Sequence, residues 1–233
     1  MKYSKDPKFI GKMFDEISPS YDKLNHLFSG MQDLRWRKLA IKHLQKSRNK
    51  YECILDLASG SGDLALEMMK LNPDKLYSVD LSEEMLKINK RKVNSDINIV
   101  LQANAEALPF QDNYFDLVGI GFGVRNFEYL DKCTKEIARV LKPGGKFLTI
   151  EMFKSSTNGF IQKSFNLYFR KALPKLGNLL SKSDYAYDYL FDSVNNFLSV
   201  KEYSKLLEES GLHIGYIKNN FIGIVHTVIG LKP

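Results

Sequence analysis

Cysteine is nearly missing from this chain: 233 residues contain two, Cys53 and Cys133. They have neither the spacing of a metal site nor the density of a disulfide framework, so a stapled secreted module is excluded and a reducing, cytosolic setting is expected. Cys53 opens an apolar run and reads as a small core residue. Long hydrophobic runs are missing too. The most apolar late stretch, Phe221 to Leu231, is about half the length of a membrane span and contains His226. The opening "MKYSKDPKFIGKMF" lacks the apolar core of a signal peptide, so a cytoplasmic protein, at most peripheral to a membrane, is expected. His26, His43, His213 and His226 are scattered, and no His/Cys/Asp cluster predicts a metal. Acid is missing locally. Seven Lys/Arg and no carboxylate occupy Arg35 to Lys50, and five more, again without acid, occupy Ser155 to Ser183 in a net charge of +7. Such faces suit nucleic acid, anionic lipid or plain solubility.

What is present is an alternation. The length suits one α/β domain with a lid, and the 44% hydrophobic content is ordinary for a globular core. Asp6-Pro7 starts a helix through Phe14 and Ile17, Ser18-Pro19-Ser20 breaks it, and a second helical pattern covers Gln32 to Gln45. Apolar runs at 53–57, 76–79, 97–101, 115–120 and 146–152 read as strands buried on both faces, with helical patterns at 63–71, 83–93 and 129–141 between them. This predicts a Rossmann-like α/β fold, a mostly parallel sheet with right-handed crossovers. Helical, aromatic sequence at 155–198 follows, then a helix at 200–210. Strands at 212–218 and 222–231 close the chain, and Asn219-Asn220 between them suggests the hairpin turn of an antiparallel edge pair. The expected arrangement is a single domain: a helical lid at 1–50, a nucleotide-binding core at 51–153, a helical insertion at 154–198, and a closing helix and strand pair at 199–233.

The stretch "ILDLASGSGDLA" (54–65) places a glycine-bracketed turn between strand and helix. Gly60-Ser61-Gly62-Asp63-Leu64-Ala65 satisfies the dinucleotide pattern G-x-G-x-x-G/A, which by itself is weak evidence. Asp80, at the end of the second strand, suits a ribose-hydroxyl acceptor, while Ser82 is the better cap for the helix that follows. Asp56 before the turn and Asp63 after it would repel a pyrophosphate and suit a ligand bearing an ammonium and a sulfonium. S-Adenosylmethionine has both, and this reading places it ahead of NAD.

"LDLASGSGD", "VDLSEEML", "ANAEALPFQDNYFDLV", "FGVRNF" and "RVLKPGGKFLTIEM" occur in order. Together they closely resemble the quinone-biosynthesis C-methyltransferases, the demethylmenaquinone and 2-polyprenyl-6-methoxybenzoquinol methyltransferase family. "MFDEISPSYDKLNHLFSGMQDLRWRK" fits that family's entry region, so the resemblance runs from Met13 to the C-terminus. It implies a class I methyltransferase fold with a seven-stranded sheet, S-adenosylmethionine as cofactor with S-adenosylhomocysteine as product, and a polyprenyl quinol as substrate. The preferred substrate is demethylmenaquinol, the alternative the benzoquinol of ubiquinone biosynthesis. Cofactor contacts carried across by position fall on Ser61, Asp80, Asn104 and Ala105, with Gly60, Gly62, Asp56 and Gly121 around them. The family usually has threonine at 61 and serine at 121, so a contact at Gly121 must come from backbone. Arg125 is expected to stabilise the developing quinolate, since it stays protonated. Asn126 is expected to orient a ring oxygen, and Tyr21 to touch substrate or cofactor. Asn104 could instead form an Asx turn, and Arg125 a bridge to Glu128. Phe160, Ile161, Phe165, Tyr168, Phe169 and Leu173 would line a tail channel, with Lys163, Arg170 and Lys171 meeting an anionic membrane. A homodimer is a further expected association. Nucleic acid is not expected as a partner: there is no N-P-P-Y-like tetrad and no nucleic-acid module, although a methyltransferase acting on RNA or another small molecule, and a non-catalytic cofactor-binding scaffold, are rival readings.

Overall fold

The computed structural model describes residues 3–47, 50–154 and 185–233. The sequence reading of 155–183 as tail channel and membrane contact lies outside them. Chain order is α1 (Pro7–Ile17), α2 (Tyr21–Ser29), α3 (Gln32–Ser47), β1 (Cys53–Leu57), α4 (Asp63–Met68), β2 (Lys75–Asp80), α5 (Glu83–Val93), β3 (Asn98–Gln102), β4 (Phe115–Gly121), α6 (Leu130–Val140) and β5 (Leu141–Met152). It closes with α7 (Ala186–Asn195), α8 (Val200–Glu209), β6 (His213–Phe221) and β7 (Val225–Leu231).

The seven strands form one sheet in the order β3-β2-β1-β4-β5-β7-β6. β1 to β5 pair in parallel, and β7 runs antiparallel to both β5 and β6, so the closing strands form the antiparallel pair the sequence indicated, with the reversed β7 second from the edge and β6 outermost. Alternate residues of the central strands feed opposite faces. Leu55 and Leu57 enter one apolar core with Val118 and Phe147, while Ile54 enters the other with Leu117 and Leu148. Strand order reverses between β1 and β4, and in such sheets the crevice for a ligand lies outside the carboxyl ends at that point.

Local signals act as expected at several ends. Asp6 caps α1, its side chain accepting from Lys8 and Phe9, with proline at the first helical position. Ser82 caps α5 by accepting from the Met85 amide at 3.1 Å. The N-terminal fifty residues divide, however, rather than forming one lid. Trp36, Ala40, Ile41 and Leu44 pack α3 onto the sheet, whereas Ile10, Met13, Ile17 and Leu24 pack α1 and α2 against Met85 and α7 as a cover.

Two boundaries differ from the sequence reading. β5 starts at Leu141, five residues earlier, because Leu141 pairs with Phe115 before a register shift passes the Pro-Gly-Gly segment. The hairpin turn is not at Asn219-Asn220. Those residues continue β6, and the chain reverses at Ile222 and Gly223, with φ of 45° and 69° and an Ile224 amide to Phe221 carbonyl bond of 2.8 Å. Asn219 supports the turn through its side chain, which accepts from the Gly223 amide at 3.0 Å. Two consecutive left-handed residues match the right-handed twist of a hairpin, and a β-branched residue is a poor occupant of the first. Ile222→Asn is therefore expected to stabilise the protein by about 1 kcal/mol, a rise in Tm of roughly 2–4 °C. Thermal unfolding followed by circular dichroism checks this.

Candidate active site

The turn after β1 brings backbone donors to the carboxyl edge. Gly60 and Gly62 have φ of 52° and 93°, which lets the loop double back before α4 begins. The Gly60 amide donates to Asp80 Oδ2 at 2.8 Å, and the Ser82 amide donates to Asp80 Oδ1 at 2.9 Å. One carboxylate thus joins the loops that follow β1 and β2. Burial pushes that carboxyl up from its ordinary range, opposed by the amides of Ser82, Gly60 and Leu81.

Around Asp80 opens a cavity of about 710 Å³ of empty space, walled by the loops after β1, β2, β3 and β4 and covered by α1 and Tyr21. Gly60, Asp80, Asn104, Ala105, Gly121 and Asn126 border it together with Tyr21. Asn104 also forms the Asx turn weighed as its alternative role, accepting from the Glu106 amide at 3.1 Å. That turn leaves the residue on the border of the cavity.

Asp56, Ser61 and Gly62 do not border this cavity. Asp56 is fully buried, and neither of its carboxylate oxygens has a hydrogen-bond partner of regular geometry. Desolvation raises its carboxyl well above the usual range, opposed by the charge of Arg37 and the amide of Ala65. Asp63 is paired: Lys92 Nζ lies 2.7 Å from Oδ1, and Arg37 and His26 approach Oδ2 at 3.9 and 3.8 Å. Neither acid therefore supplies the field that the sequence reading assigned to them. That reading took proximity in the chain for direction in space. The acids that face the cavity are Asp80, Glu106 and Glu128, with Lys5 across from them.

Ser61 instead meets the cover. Its hydroxyl donates to the Asp22 carboxylate, and Lys92 Nζ lies 3.2 Å from it and 2.6 Å from Asp22 Oδ2. His26 and Arg37 each reach Asp33 Oδ2 at 2.8 Å. This partly buried charge network fastens α2 and α3 over the glycine turn. Among the described residues, Asp22, His26 and Asp63 are close enough to share a metal ion, but the Lys92 ammonium bridges the two carboxylates.

A second, larger cavity adjoins the first, with about 1170 Å³ of empty space when the open solvent within it is counted. Phe14, Tyr21 and Phe122 border both, so these three rings form the partition. Burial raises the Tyr21 phenol to about 12, against the opposing charge of Arg125, so it is a neutral donor near pH 7. Arg125 lines the second cavity from the short 3-10 turn after β4. Its partner is Glu151 at the end of β5, not Glu128. Arg125 Nη1 lies 2.7 Å from Glu151 Oε1 and 2.7 Å from the Phe122 carbonyl. Glu151 also accepts from the Arg125 and Met152 amides. Arg125 Nε is buried with no hydrogen-bond partner. Asn126 is held from the other side, its Oδ1 accepting from the Tyr189 hydroxyl at 2.9 Å.

Glu151, Tyr189 and Lys92 escaped the sequence reading. Glu151 had a signal, a carboxylate inside the apolar run "FLTIEM", whose burial demands a cation. Lys92 and Tyr189 sit in helical patterns where nothing sets them apart.

Removing one member of a buried pair costs about 3–5 kcal/mol because it strands the other charge. Glu151→Gln is expected to lower Tm by roughly 6–20 °C, and adding Arg125→Met should recover most of that loss. A four-member thermal unfolding cycle checks both. At Gly121 a Cβ would stand 3.7 Å from Arg37 Nε, another buried donor without a partner, and 3.4 Å from Leu64. Gly121→Ser supplies the missing acceptor, and a gain of about 1 kcal/mol, or 2–4 °C in Tm, is expected in the same assay.

Known proteins share this arrangement. A model of the ubiE/COQ5 methyltransferase family matches residues 1–232. The demethylmenaquinone methyltransferase of Chlorobaculum tepidum is 43% identical over 211 residues, 89% of this chain and 86% of that protein. A protein of the same name from Thermus thermophilus is 38% identical over 226 residues, 95% of this chain and 100% of its own length. The ubiquinone/menaquinone biosynthesis C-methyltransferase UbiE of Wigglesworthia glossinidia brevipalpis is 37% identical over 216 residues, 90% and 85% of the two chains. In solved structures the fold recurs in the [4+2]-cyclase SpnF, with a TM-score of 0.69 at 17% identity over 96% of this chain and 95% of that one. It recurs too in a SAM-dependent methyltransferase from Aquifex aeolicus, with a TM-score of 0.59 at 19% identity over 83% and 89%. With the family match running through residue 232 and two cavities that share Phe14, Tyr21 and Phe122, this chain is a methyltransferase and belongs to the ubiE/COQ5 family.

Proposed function

We propose that the protein methylates a ring carbon of a polyprenyl naphthoquinol, demethylmenaquinol, with S-adenosylmethionine as the donor. The observation that carries this is the pair of cavities meeting across Phe14, Tyr21 and Phe122: one suits a nucleoside, the other is apolar and has a charged corner. Relatives named demethylmenaquinone methyltransferase at 43% and 38% identity support the naphthoquinol over the benzoquinol.

The residues of the first cavity fit the donor. Asp80, a buried carboxylate with amides on both oxygens, keeps lone pairs for two vicinal ribose hydroxyls. Asn104 and the Ala105 amide stand where an adenine edge would be read, at the carboxyl end of β3. Glu106, Glu128 and Asp80 give the wall a negative balance, which favours an ammonium and sulfonium over a pyrophosphate. When bound, S-adenosylmethionine supplies an electrophilic methyl group on a positively charged sulfur.

On the acceptor side, the ring hydroxyl must pass its proton to water so that the neighbouring carbon becomes nucleophilic, and after methyl transfer that carbon's own hydrogen must leave as a second proton to water to restore the aromatic ring. Arg125, at the wall of the second cavity, holds the ring oxyanion with its guanidinium. A donor of this kind is worth about 2.7–4 kcal/mol in the transition state. Glu151 keeps the guanidinium oriented, and Tyr189 fixes the Asn126 amide, which orients a ring oxygen. Phe14, Tyr21 and Phe122 exclude water and bring the carbon to about 3–3.5 Å from the methyl group.

Purified protein with labelled S-adenosylmethionine and chemically reduced, short-tailed demethylmenaquinone should place label in the quinone fraction. Arg125→Lys should cut turnover about a hundredfold with donor binding intact, since lysine lacks the planar fork. Asp80→Asn should weaken donor binding, read by calorimetry with S-adenosylhomocysteine, by about tenfold or more. Tight S-adenosylhomocysteine binding without label in the quinone would refute the activity. Label in a benzoquinol alone would move the substrate to the other branch of the family.

A further inference from the structure

The exposed face of α3, and Leu27 and Met31 at the α2–α3 corner, border neither cavity. We propose that they form a docking surface for an anionic lipid bilayer, seating the mouth of the second cavity on the membrane. The proposal rests on the quinol reading for its purpose, because a polyprenyl tail keeps the acceptor in the bilayer.

The corner is apolar where a water-facing turn would be polar. Leu27 and Met31 are 61% and 56% exposed, and they flank Gly30 at the tip. Their neighbours Phe28, Ser29 and Gln32 line the second cavity, so the tip stands beside its opening. From that tip runs a single stripe. Met31, Arg35, Lys38, Leu39, Lys42 and Lys46 are all exposed and recur at intervals of three and four, which places them on one side of the helix. No acid occurs between Leu34 and Lys50, and among the described residues none of Arg35, Lys38, Lys42 and Lys46 makes an ion pair. The positive field extends beyond the helix. His43 stacks on Tyr216 of β6 at 3.8 Å between centroids, with the charges of Lys146, Lys46 and Lys218 around it.

Four unpaired cations in a row and a hydrophobic tip are complementary to anionic headgroups above an acyl layer. Nucleic acid would match the charge but leave Leu27 and Met31 in water. A protein partner would more often bring an aromatic or bidentate anchor at the centre, whereas this stripe is mainly flexible lysine.

Sedimentation with vesicles of phosphatidylcholine, with and without phosphatidylglycerol, tests the surface with no quinone present. The wild-type protein is expected on the anionic vesicles only, with binding that falls as salt rises. Arg35→Glu/Lys38→Glu/Lys42→Glu should lose about tenfold or more of that partition. Leu27→Ser/Met31→Ser should keep the low-salt binding and lose the part that survives high salt. All five positions lie outside the cavity walls, so cooperative unfolding and turnover of a short-tailed quinol should be unchanged and report that each variant is folded. Equal sedimentation of wild type and the triple variant, equal binding to neutral vesicles, or binding to RNA with none to vesicles would overturn the proposal. Vesicle binding in a protein that fails to methylate the quinol would refute the activity and leave the surface standing.

Discussion

A guanidinium cannot be left alone inside a protein, and one wall of the second cavity is built around that constraint. Arg125 is buried at the end of β4, and Glu151, fully buried at the end of β5, answers its charge. The pair spans two adjacent parallel strands, so sheet pairing and ion pairing fix each other's geometry. Glu151 accepts from three donors, and Phe122 supplies a carbonyl to the same guanidinium. Arg125 lines the second cavity, while its Nε is buried without a partner. A buried pair of this kind contributes little net stability, since desolvation offsets most of the attraction. Its value is orientation.

The cover depends on electrostatics of a different kind. Lys92 reaches from α5 to Asp22 on α2 and Asp63 on α4, while His26, Asp33 and Arg37 continue the chain of charges into α3. Lys92, Asp22 and His26 are partly exposed, so their links are individually modest and weakened by salt, whereas the Asp33–Arg37 pair is buried. The network ties Ser61 to the cover and not to the cavity. Ser61 of the glycine turn thereby has a structural task in this chain. The acids before and after the turn do not border the first cavity. Asp56 is buried on the far side of its strand, and Asp63 is neutralised by neighbours. The negative wall comes from Asp80, Glu106 and Glu128.

Much of the fold was legible because strong local signals agreed with the global arrangement. Short runs rich in branched residues lie where strands are buried on both faces, and Asp6 and Ser82 cap the helices they precede. The hairpin was misplaced because Asn219-Asn220 is the better turn dipeptide, yet the pairing of β6 with β7 sets the reversal at Ile222-Gly223. Tertiary register overrode local preference there. α3 was read as lid and packs on the sheet, since an amphipathic pattern gives the width of a buried face but not its partner.

The sequence by itself determined the alternation of strands and helices, the glycine turn, and the candidates Asp80, Asn104, Arg125 and Asn126, because each rests on periodicity or on short motifs whose chemistry is local. Only the tertiary structure decided which acids face the ligand, that Glu151 answers Arg125, and that Phe14, Tyr21 and Phe122 stand between two cavities. Those facts join residues far apart in the chain, and the direction of a side chain depends on the packing of elements that no local pattern encodes.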